Sequence, residues 1–573
     1  MITSLIAGIF REIAKILELK GENVFRIRAY ERAAQNIESL SEDIQDIINE
    51  NRLTEIPGIG KDLAEKIVEI ATTGKLSFLE DMRRSLPPGM VGLLAIPSVG
   101  PKHAKLFYEK LGIKNSAELE KACREKKLLE LSGIKEKTIE NILQGIALVK
   151  KGRERMDLGT ALTVANEFIA ALKNATRITQ LAVCGSLRRM KETIRDIDIL
   201  VSSPNPQKIM EALAKLPQIK DSTAQGETKA SVITQEGTQV DIRVVKEKSY
   251  GAALVYFTGS KNFNIKIRQR AMKYGLKVNE YGVFRIKNGK EKYISGKTEE
   301  AVFKSLGLSY IEPELREDAG EIELAATHRL PQLLTLADIK GDFHAHSRYS
   351  DGHNSIAEMA QCAKGLGYEY ITISDHSQGL TIAKGLTLAD LKKKKMEIEN
   401  LNKTLKVCKV LFGSEVDIDS QGRLDYPDTV LADFDIVVAA IHTGFKQSKK
   451  QITKRLLAAC KNEYVDIIAH PTGRLWGTRD AYEADFDDIF RAASDYGTAL
   501  EINAYPLRLD LNDTYCRQAK KAGARLAIST DAHAVSQLQA MHLGVATARR
   551  GWLTKNDVLN SLSYGELIKT LKH

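Results

Sequence analysis

The stretch that decides the reading is Leu181-Ala182-Val183-Cys184-Gly185-Ser186-Leu187-Arg188-Arg189, followed by Ile194-Arg195-Asp196-Ile197-Asp198-Ile199-Leu200-Val201. Apolar residues alternate around Asp196 and Asp198, as a half-buried strand requires. With a side-chain period of two, both carboxylates lie on one face and can share divalent metal. A third acid, Asp241, stands in another strand-like run, Thr238-Gln239-Val240-Asp241-Ile242-Arg243-Val244-Val245. Three carboxylates on adjacent strands repel one another strongly without cations. A pair of magnesium ions resolves that repulsion, activates an attacking hydroxyl and neutralises a leaving pyrophosphate. Gly185-Ser186 ends a strand in a turn small enough for backbone and hydroxyl donors to approach a triphosphate, whose charge Arg188 and Arg189 offset.

The surroundings of this segment are basic. Residues 151–316 carry 29 basic and 18 acidic side chains, against 23 and 22 in residues 1–150 and 32 and 34 in residues 317–573. Nearly all of the formal charge of +10 therefore sits around the carboxylates, where a polyanion is expected to lie. At 573 residues the chain is too long for one core. No apolar run approaches the ~20 residues that span a bilayer. Met1 to Leu19 reads as an amphipathic helix rather than a leader. The six cysteines form no C-x-x-C pair, which points to a reducing, cytoplasmic setting and away from cysteine-ligated zinc.

Nine of the eleven histidines lie beyond residue 339. There, apolar β-rich runs end repeatedly in ligand-type residues: His344 and His346, Asp375-His376, Glu415, His442, His470, and Asp531 with His533. Helix-patterned stretches such as Ile356 to Gly365 and Ile452 to Cys460 separate them. Strand and helix in alternation, with polar residues at the strand ends, is how a parallel barrel builds its active site. With Asp351 the candidate ligands are imidazoles and carboxylates, a set suited to manganese, zinc or iron and large enough for three ions. Asp375 is expected to orient a ligand rather than bind metal, and His353 is a spare ligand or an exposed residue.

In the first third, Ile56-Pro57-Gly58-Ile59-Gly60-Lys61, Ile96-Pro97-Ser98-Val99-Gly100-Pro101-Lys102 and Leu131-Ser132-Gly133-Ile134-Lys135 each follow one helical stretch and open another. Glycines at such a turn let backbone N–H groups face a phosphate oxygen. The third copy lacks the second glycine and is open to a packing role alone.

These segments resemble known families. The hairpins are similar to helix-hairpin-helix elements, which grip DNA backbone without reading sequence; the residues concerned are Gly58, Gly60, Lys61, Gly100 and Lys102. The G-S-x-R-R and D-x-D segments resemble the nucleotidyltransferase superfamily. Tyr256-Phe257-Thr258-Gly259-Ser260-Lys261 with Asn264 and Arg268 resembles the thumb of family X DNA polymerases. That resemblance implies that Tyr256 and Phe257 pack against an incoming sugar, with core packing as the alternative for Phe257. It also implies that Asn264 and Arg268 contact the nascent pair and template. Gln239 stands where animal relatives place an arginine. Residues 1–80 look like the lyase domain of DNA polymerase beta, which implies a Schiff-base lysine at Lys66, although Asp62 and Phe78 occupy positions of supporting lysines. Beyond residue 336, H-x-H-x-x-x-x-D-G, S-D-H, G-S-E and D-A-H resemble the polymerase and histidinol phosphatase (PHP) domain.

The expected architecture is multidomain. It comprises a lyase-like helical domain (1–80), a helix-hairpin-helix fingers domain (81–150), an α+β nucleotidyltransferase palm (151–245), a thumb (246–316), a linker (317–335), and an α/β distorted TIM-like PHP barrel (336–573). The expected function is gap-filling polymerisation with 3′–5′ exonuclease or abasic-site endonuclease activity. Mg2+ or Mn2+ is expected in the palm, and Mn2+ or Zn2+, up to three ions, in the barrel. Gapped or nicked DNA, primer–template ends and dNTPs are the expected partners of a monomer. A DNA-end-binding scaffold, or a stand-alone phosphodiesterase with an inactive palm, is the alternative.

Overall fold

The computed structural model of the chain describes residues 2–38, 44–56, 58–85, 90–94, 96, 99–175, 177–288, 290–405 and 407–571. Pro57, Pro97 and Ser98 of the hairpin turns lie outside the described residues. The first helix, Ile2–Lys20, is amphipathic as its spacing predicts, burying Ile6, Phe10, Ile13 and Leu17 against the helix Val24–Glu38. Phe10 meets Tyr30 edge-on at 5.5 Å there. A second helical core gathers Leu93, Phe107, Leu119 and Ile142.

The palm is a five-stranded sheet. Its order is Gln180–Val183, Asp196–Ser202, Gln239–Val245, Lys229–Thr234 and Ile219–Gln225. The two acid-bearing strands are central and parallel to each other, and their neighbours run antiparallel. Ile197, Ile199, Val240 and Ile242 point into a core with Phe168, which leaves Asp196, Asp198 and Asp241 on the opposite face.

Seven parallel strands form the C-terminal barrel: Gly341–Ala345, Tyr370–Ile373, Lys409–Asp417, Ile436–Ala440, Ile467–Ile468, Ala499–Asn503 and Leu526–Ser529. They pair in sequence order, and a parallel bridge between Ala345 and Ala532 brings the last strand back to the first. Tyr370 and Ile371 go to different apolar layers, one shared with the C-terminal Leu559 and Leu567 and the other with Met359 and Ile398 of the covering helices.

Residues 317–335, expected as a linker, are folded. The helix Glu321–Ala326 places Ile322 and Ala325 in the thumb core, and Leu333 joins them. The acids and prolines of this stretch resemble a linker in composition, but its apolar residues recur at helical spacing. The barrel domain also enters both polymerase cores: Leu509 and Leu543 lie in the palm core and Trp552 in the thumb core. At the palm surface a Cβ on Gly159 would meet Pro506 of the barrel domain at 3.0 Å.

Palm and thumb are tied by a buried charge cluster. Glu299 accepts from Arg188 Nη1 and Nη2 at 2.8 and 2.6 Å and from Arg316 Nη1 at 2.7 Å. With both terminal nitrogens on Glu299, Arg188 is committed to a carboxylate rather than to a triphosphate, a correction to the sequence expectation; Arg189, which meets its own carboxylate through Nε, is the one of the pair that lines the cavity beside Asp196. A guanidinium fits both anions equally well, and only the fold decides between them. Replacing Glu299 by Gln should cost about 3–5 kcal/mol, because two guanidinium groups lose their buried counter-charge; a lowered urea midpoint would read this. Burial raises the Glu299 carboxyl, but the two arginines outweigh it and hold it at about 2 against 4.5. Its contribution is thus complete above about 4.5 and is lost as pH falls through about 2.

Candidate active sites

In the palm, Asp198 faces Asp241 directly across the parallel strand pair, and Asp196 faces Gln239. Ser231, opposite Asp241 on the next strand, donates its hydroxyl to that carboxylate, and Gln239 Nε2 donates to Asp241 Oδ2 at 3.1 Å. Burial, then the charges of Asp196 and Asp241, push Asp198 up to about 7. That repulsion, in an all-oxygen donor set, fits hard divalent cations such as Mg2+ or Mn2+. Gly185 has φ +60°, and a Cβ on it would overlap the Asp198 carboxylate. Only glycine lets the phosphate loop approach the acids this closely.

A cavity of about 520 Å³ opens beside Ser186, Arg189 and Asp196. It also draws on Arg155, Lys191 and Arg195, none of which the sequence motifs singled out. A second cavity, about 210 Å³, lies against Asp198, Asp241 and Phe257, with the Arg243 guanidinium 4.7 Å above the Phe257 ring. Phe257 therefore borders the acids. Tyr256 meets it edge-on at 5.1 Å and remains 36% exposed. Asn264 donates to the Tyr256 carbonyl at 2.7 Å. Gly259 and Ser260 join the helix Tyr250–Thr258 to Lys261–Lys273, on which Lys261 and Arg268 are exposed.

The three hairpins share one backbone turn. Ile59, Val99 and Ile134 donate their N–H groups to Ile56, Ile96 and Leu131, at 3.0, 3.0 and 3.2 Å. Gly60 and Gly100 cap the helices Lys61–Thr73 and Pro101–Leu111, so Lys61 and Lys102 sit in first turns with their free N–H groups. Lys135 takes the capping place in the third copy. Lys66 pairs with Asp62, and its Nζ lies 5.2 Å from the Phe78 ring centre.

The barrel ligand candidates gather at the C-terminal side of the strands: Glu415 lies within Lys409–Asp417, Asp351 in the loop after Gly341–Ala345, and the others at or within a few residues of a strand end. The donor atoms gather into His346–Asp351–His376–His533, His344–His346–Asp531 and His376–Glu415–His442. His470 joins through Nε2, 3.0 Å from Glu415 Oε1. His344 Nε2 lies 3.3 Å from Glu415 Oε2, His346 Nε2 3.3 Å from Asp531, and His376 and His533 3.6 and 3.5 Å from Asp351. Two ligand atoms at ~2.1 Å from one ion in a tetrahedral shell are roughly 3.4 Å apart, so these spacings fit residues that could share an ion. His344 Nε2, both His346 nitrogens, His376 Nδ1 and Glu415 Oε2 are buried without a hydrogen-bond partner. Such orphaned donors fit metal ions. His470 and Asp531 also hold left-handed backbone, φ 27° and 53°, the kind of local strain that functional sites retain.

Burial with the neighbouring His533 and His376 holds His346 down to about 4, and burial with the Arg508 charge does the same for His470. Both are thus neutral imidazoles, the form that binds metal. Against burial, the surrounding imidazoles hold Glu415 and Asp531 well below the usual carboxylate range.

Asp375 does not touch the histidines. It accepts from Ser347 N, Ser347 Oγ and Ser350 Oγ at 2.8 Å each and pairs with buried Lys394 at 2.9 Å. It thereby braces the loop between His346 and Asp351. The motifs missed two orienting acids. Glu501 accepts from His344 Nδ1 at 2.8 Å and from the His470 N–H at 2.6 Å, and Asp417 is 2.8 Å from His442 Nδ1. An acid inside the apolar run Ala499-Leu500-Glu501-Ile502 was the available signal.

Family models agree with this layout. Residues 1–76 match a helix-hairpin-helix domain, 91–147 a SAM-like helix-hairpin-helix tandem, 253–317 the DNA polymerase beta thumb, and 342–505 the PHP domain. The class is thus a polymerase beta-like core joined to a PHP barrel. DNA polymerase/3′-5′ exonuclease PolX of Bacillus subtilis (strain 168) is 40% identical over 569 residues, 99% of each chain. The chain belongs to the PolX family. DNA polymerase lambda of Rattus norvegicus is 26% identical over 335 residues, 53% of this chain and 54% of its own. A protein of Thermoanaerobacter sp. (strain X514) named "Probable phosphatase" is 30% identical over 244 residues, 40% of this chain and 94% of its own.

Proposed function

We propose that this protein is a DNA-directed DNA polymerase that fills short gaps in base excision repair, and that its barrel removes nucleotides from 3′ ends and opens abasic sites. The observation that supports the reading is the presence of two separate clusters, one of acids beside a cationic cavity and one of eight candidate metal ligands with His470 against Glu415. In the palm, Asp196, Asp198 and Asp241 would hold Mg2+ or Mn2+, and such an ion would supply activation of the attacking hydroxyl and charge neutralisation at the leaving group. Gly185, Ser186 and Arg189 receive the triphosphate, while Tyr256, Phe257, Gly259 and Asn264 frame the nucleotide. The hairpin residues with Lys261 and Arg268 track the backbone of gapped or nicked DNA.

In the barrel, His344, His346, Asp351, His376, Glu415, His442, His470, Asp531 and His533 would hold up to three Mn2+ or Zn2+ ions, whose chemistry there would be activation of water. Arg508, 3.4 Å from Asp531 and with a buried Nη1 lacking a partner, offers a donor to a phosphate oxygen. A cytoplasmic monomer is the form assigned. The test is primer extension and 3′-end degradation on one gapped duplex. Wild type that never extends with Mg2+ or Mn2+ removes the polymerase reading, and absence of 3′ shortening or abasic-strand cleavage removes the nuclease reading.

Lyase chemistry at Lys66 requires its amine to leave Asp62 before attacking the sugar aldehyde. Asp62→Ala should therefore raise borohydride trapping on an abasic 5′ end several-fold, and Lys66→Ala should abolish it. Equal trapping in all three proteins would exclude Lys66.

A further inference from the structure

The phosphate loop of the palm is held from outside the palm. Arg189 donates through Nε to Glu317 Oε1 at 3.0 Å and through Nη1 to the Thr258 carbonyl. Its own carbonyl accepts from Arg550 Nη1 at 2.6 Å. Arg550 ends the helix Met541–Arg550 of the barrel domain. The same Nη1 is 3.2 Å from Glu317 Oε1. One guanidinium thus touches both the main chain of Arg189 and the carboxylate that restrains its side chain. Nη2 is anchored by Asp513 Oδ2 at 2.5 Å. The Arg550 side chain is 4% exposed, so water offers it no alternative partners.

The cavity beside Ser186 and Asp196 explains why this matters. Asp513, Thr547 and Arg550 of the barrel domain form part of its wall. Five of its lining side chains are cationic and three anionic, a surplus that suits a polyphosphate. Glu317 would oppose such a ligand, but it is shared among Arg189, Arg550 and Lys191, the last at 3.5 Å. With Arg550 removed, Glu317 keeps fewer competitors for Arg189, and the Arg189 carbonyl loses its tether. Both changes loosen the hold on the loop beside the cavity.

We propose that Arg550 is a positioning residue for nucleotidyl transfer: through it the PHP domain sets the Arg189 loop against the triphosphate of the incoming nucleotide. The proposal rests on the polymerase reading above. It makes nucleotide affinity in one active site depend on a side chain carried by the domain of the other.

The test uses the full chain with Arg550→Ala, Arg550→Lys and Asp513→Asn. KM for dATP in single-nucleotide gap filling, calorimetric binding of Mg·dATP without DNA, and 3′ degradation of single strands are compared. Arg550→Ala should raise the KM and weaken dATP binding about tenfold or more, the effect of losing one charge-assisted hydrogen bond. Its kcat and degradation rate should stay within about threefold of wild type, and Arg550→Lys should restore part of the affinity. Unchanged dATP affinity in a folded Arg550→Ala protein overturns the proposal. So does an equal fall in extension and degradation with unchanged affinity, which marks a merely structural tie. If Arg550→Ala does not fold, Arg550→Lys and Asp513→Asn decide by the same affinity readout. Wild type that binds dATP but extends no primer sinks the polymerase reading instead, and the binding comparison still judges Arg550.

Discussion

Asp198→Asn should lose primer extension by about 10³-fold or more, the equivalent of some 4 kcal/mol in the barrier, while 3′-end degradation continues at the wild-type rate. The substitution keeps shape and hydrogen-bonding capacity and removes only charge. Because Asp198 is pushed up to about 7 by burial and by its two acidic neighbours, the amide also relieves repulsion, and the urea midpoint should hold or rise. A protein that stays folded and loses extension separates chemistry from scaffold. The same crowding predicts a pH effect. A proton competes with cations at Asp198, so at limiting Mg2+ extension should fall as pH drops through about 7. Saturating Mg2+ should move that fall to lower pH. A profile indifferent to Mg2+ concentration would contradict this assignment.

Glu415→Gln should have the reciprocal effect. Glu415 lies within 4 Å of five imidazoles, those of His344, His346, His376, His442 and His470. It belongs to the group His376–Glu415–His442, and its Oε2 also lies 3.3 Å from His344 Nε2 of a neighbouring group. The amide preserves volume but offers a neutral oxygen, so bound metal measured by mass spectrometry should drop by at least one ion per chain. Nuclease activity should fall about 10³-fold, and gap filling should persist. If both variants lost both activities, the two-centre description would fail. Chelation followed by Mn2+ should restore wild-type degradation and leave Glu415→Gln inactive.

What could be read from the sequence depended on how far apart the interacting residues lie. Asp196 and Asp198 are legible because two acids inside an apolar strand violate a short, local pattern. The barrel ligands are legible because each interrupts an apolar run at its end. Orienting groups are not local: His344 meets Glu501 across 157 residues, and Arg550 meets Arg189 across 361. The role of Arg188 is not legible locally, because its partner Glu299 is 111 residues away. The segment 317–335 has the composition of a linker, while Ile322 and Ala325 keep the spacing of a buried helix face.

The contribution of Leu509, Leu543 and Trp552 to the palm and thumb cores bears on how such a protein can be dissected or inherited. A chain cut before residue 336 would keep all its palm acids yet expose the apolar surfaces these three residues cover, and should show a lower urea midpoint than the full chain. Recombination that swapped only one partner would have to rebuild both faces of that contact at once. In this chain the barrel is therefore also a wall of the polymerase, and loss of nuclease chemistry alone should leave it in place as an inert support.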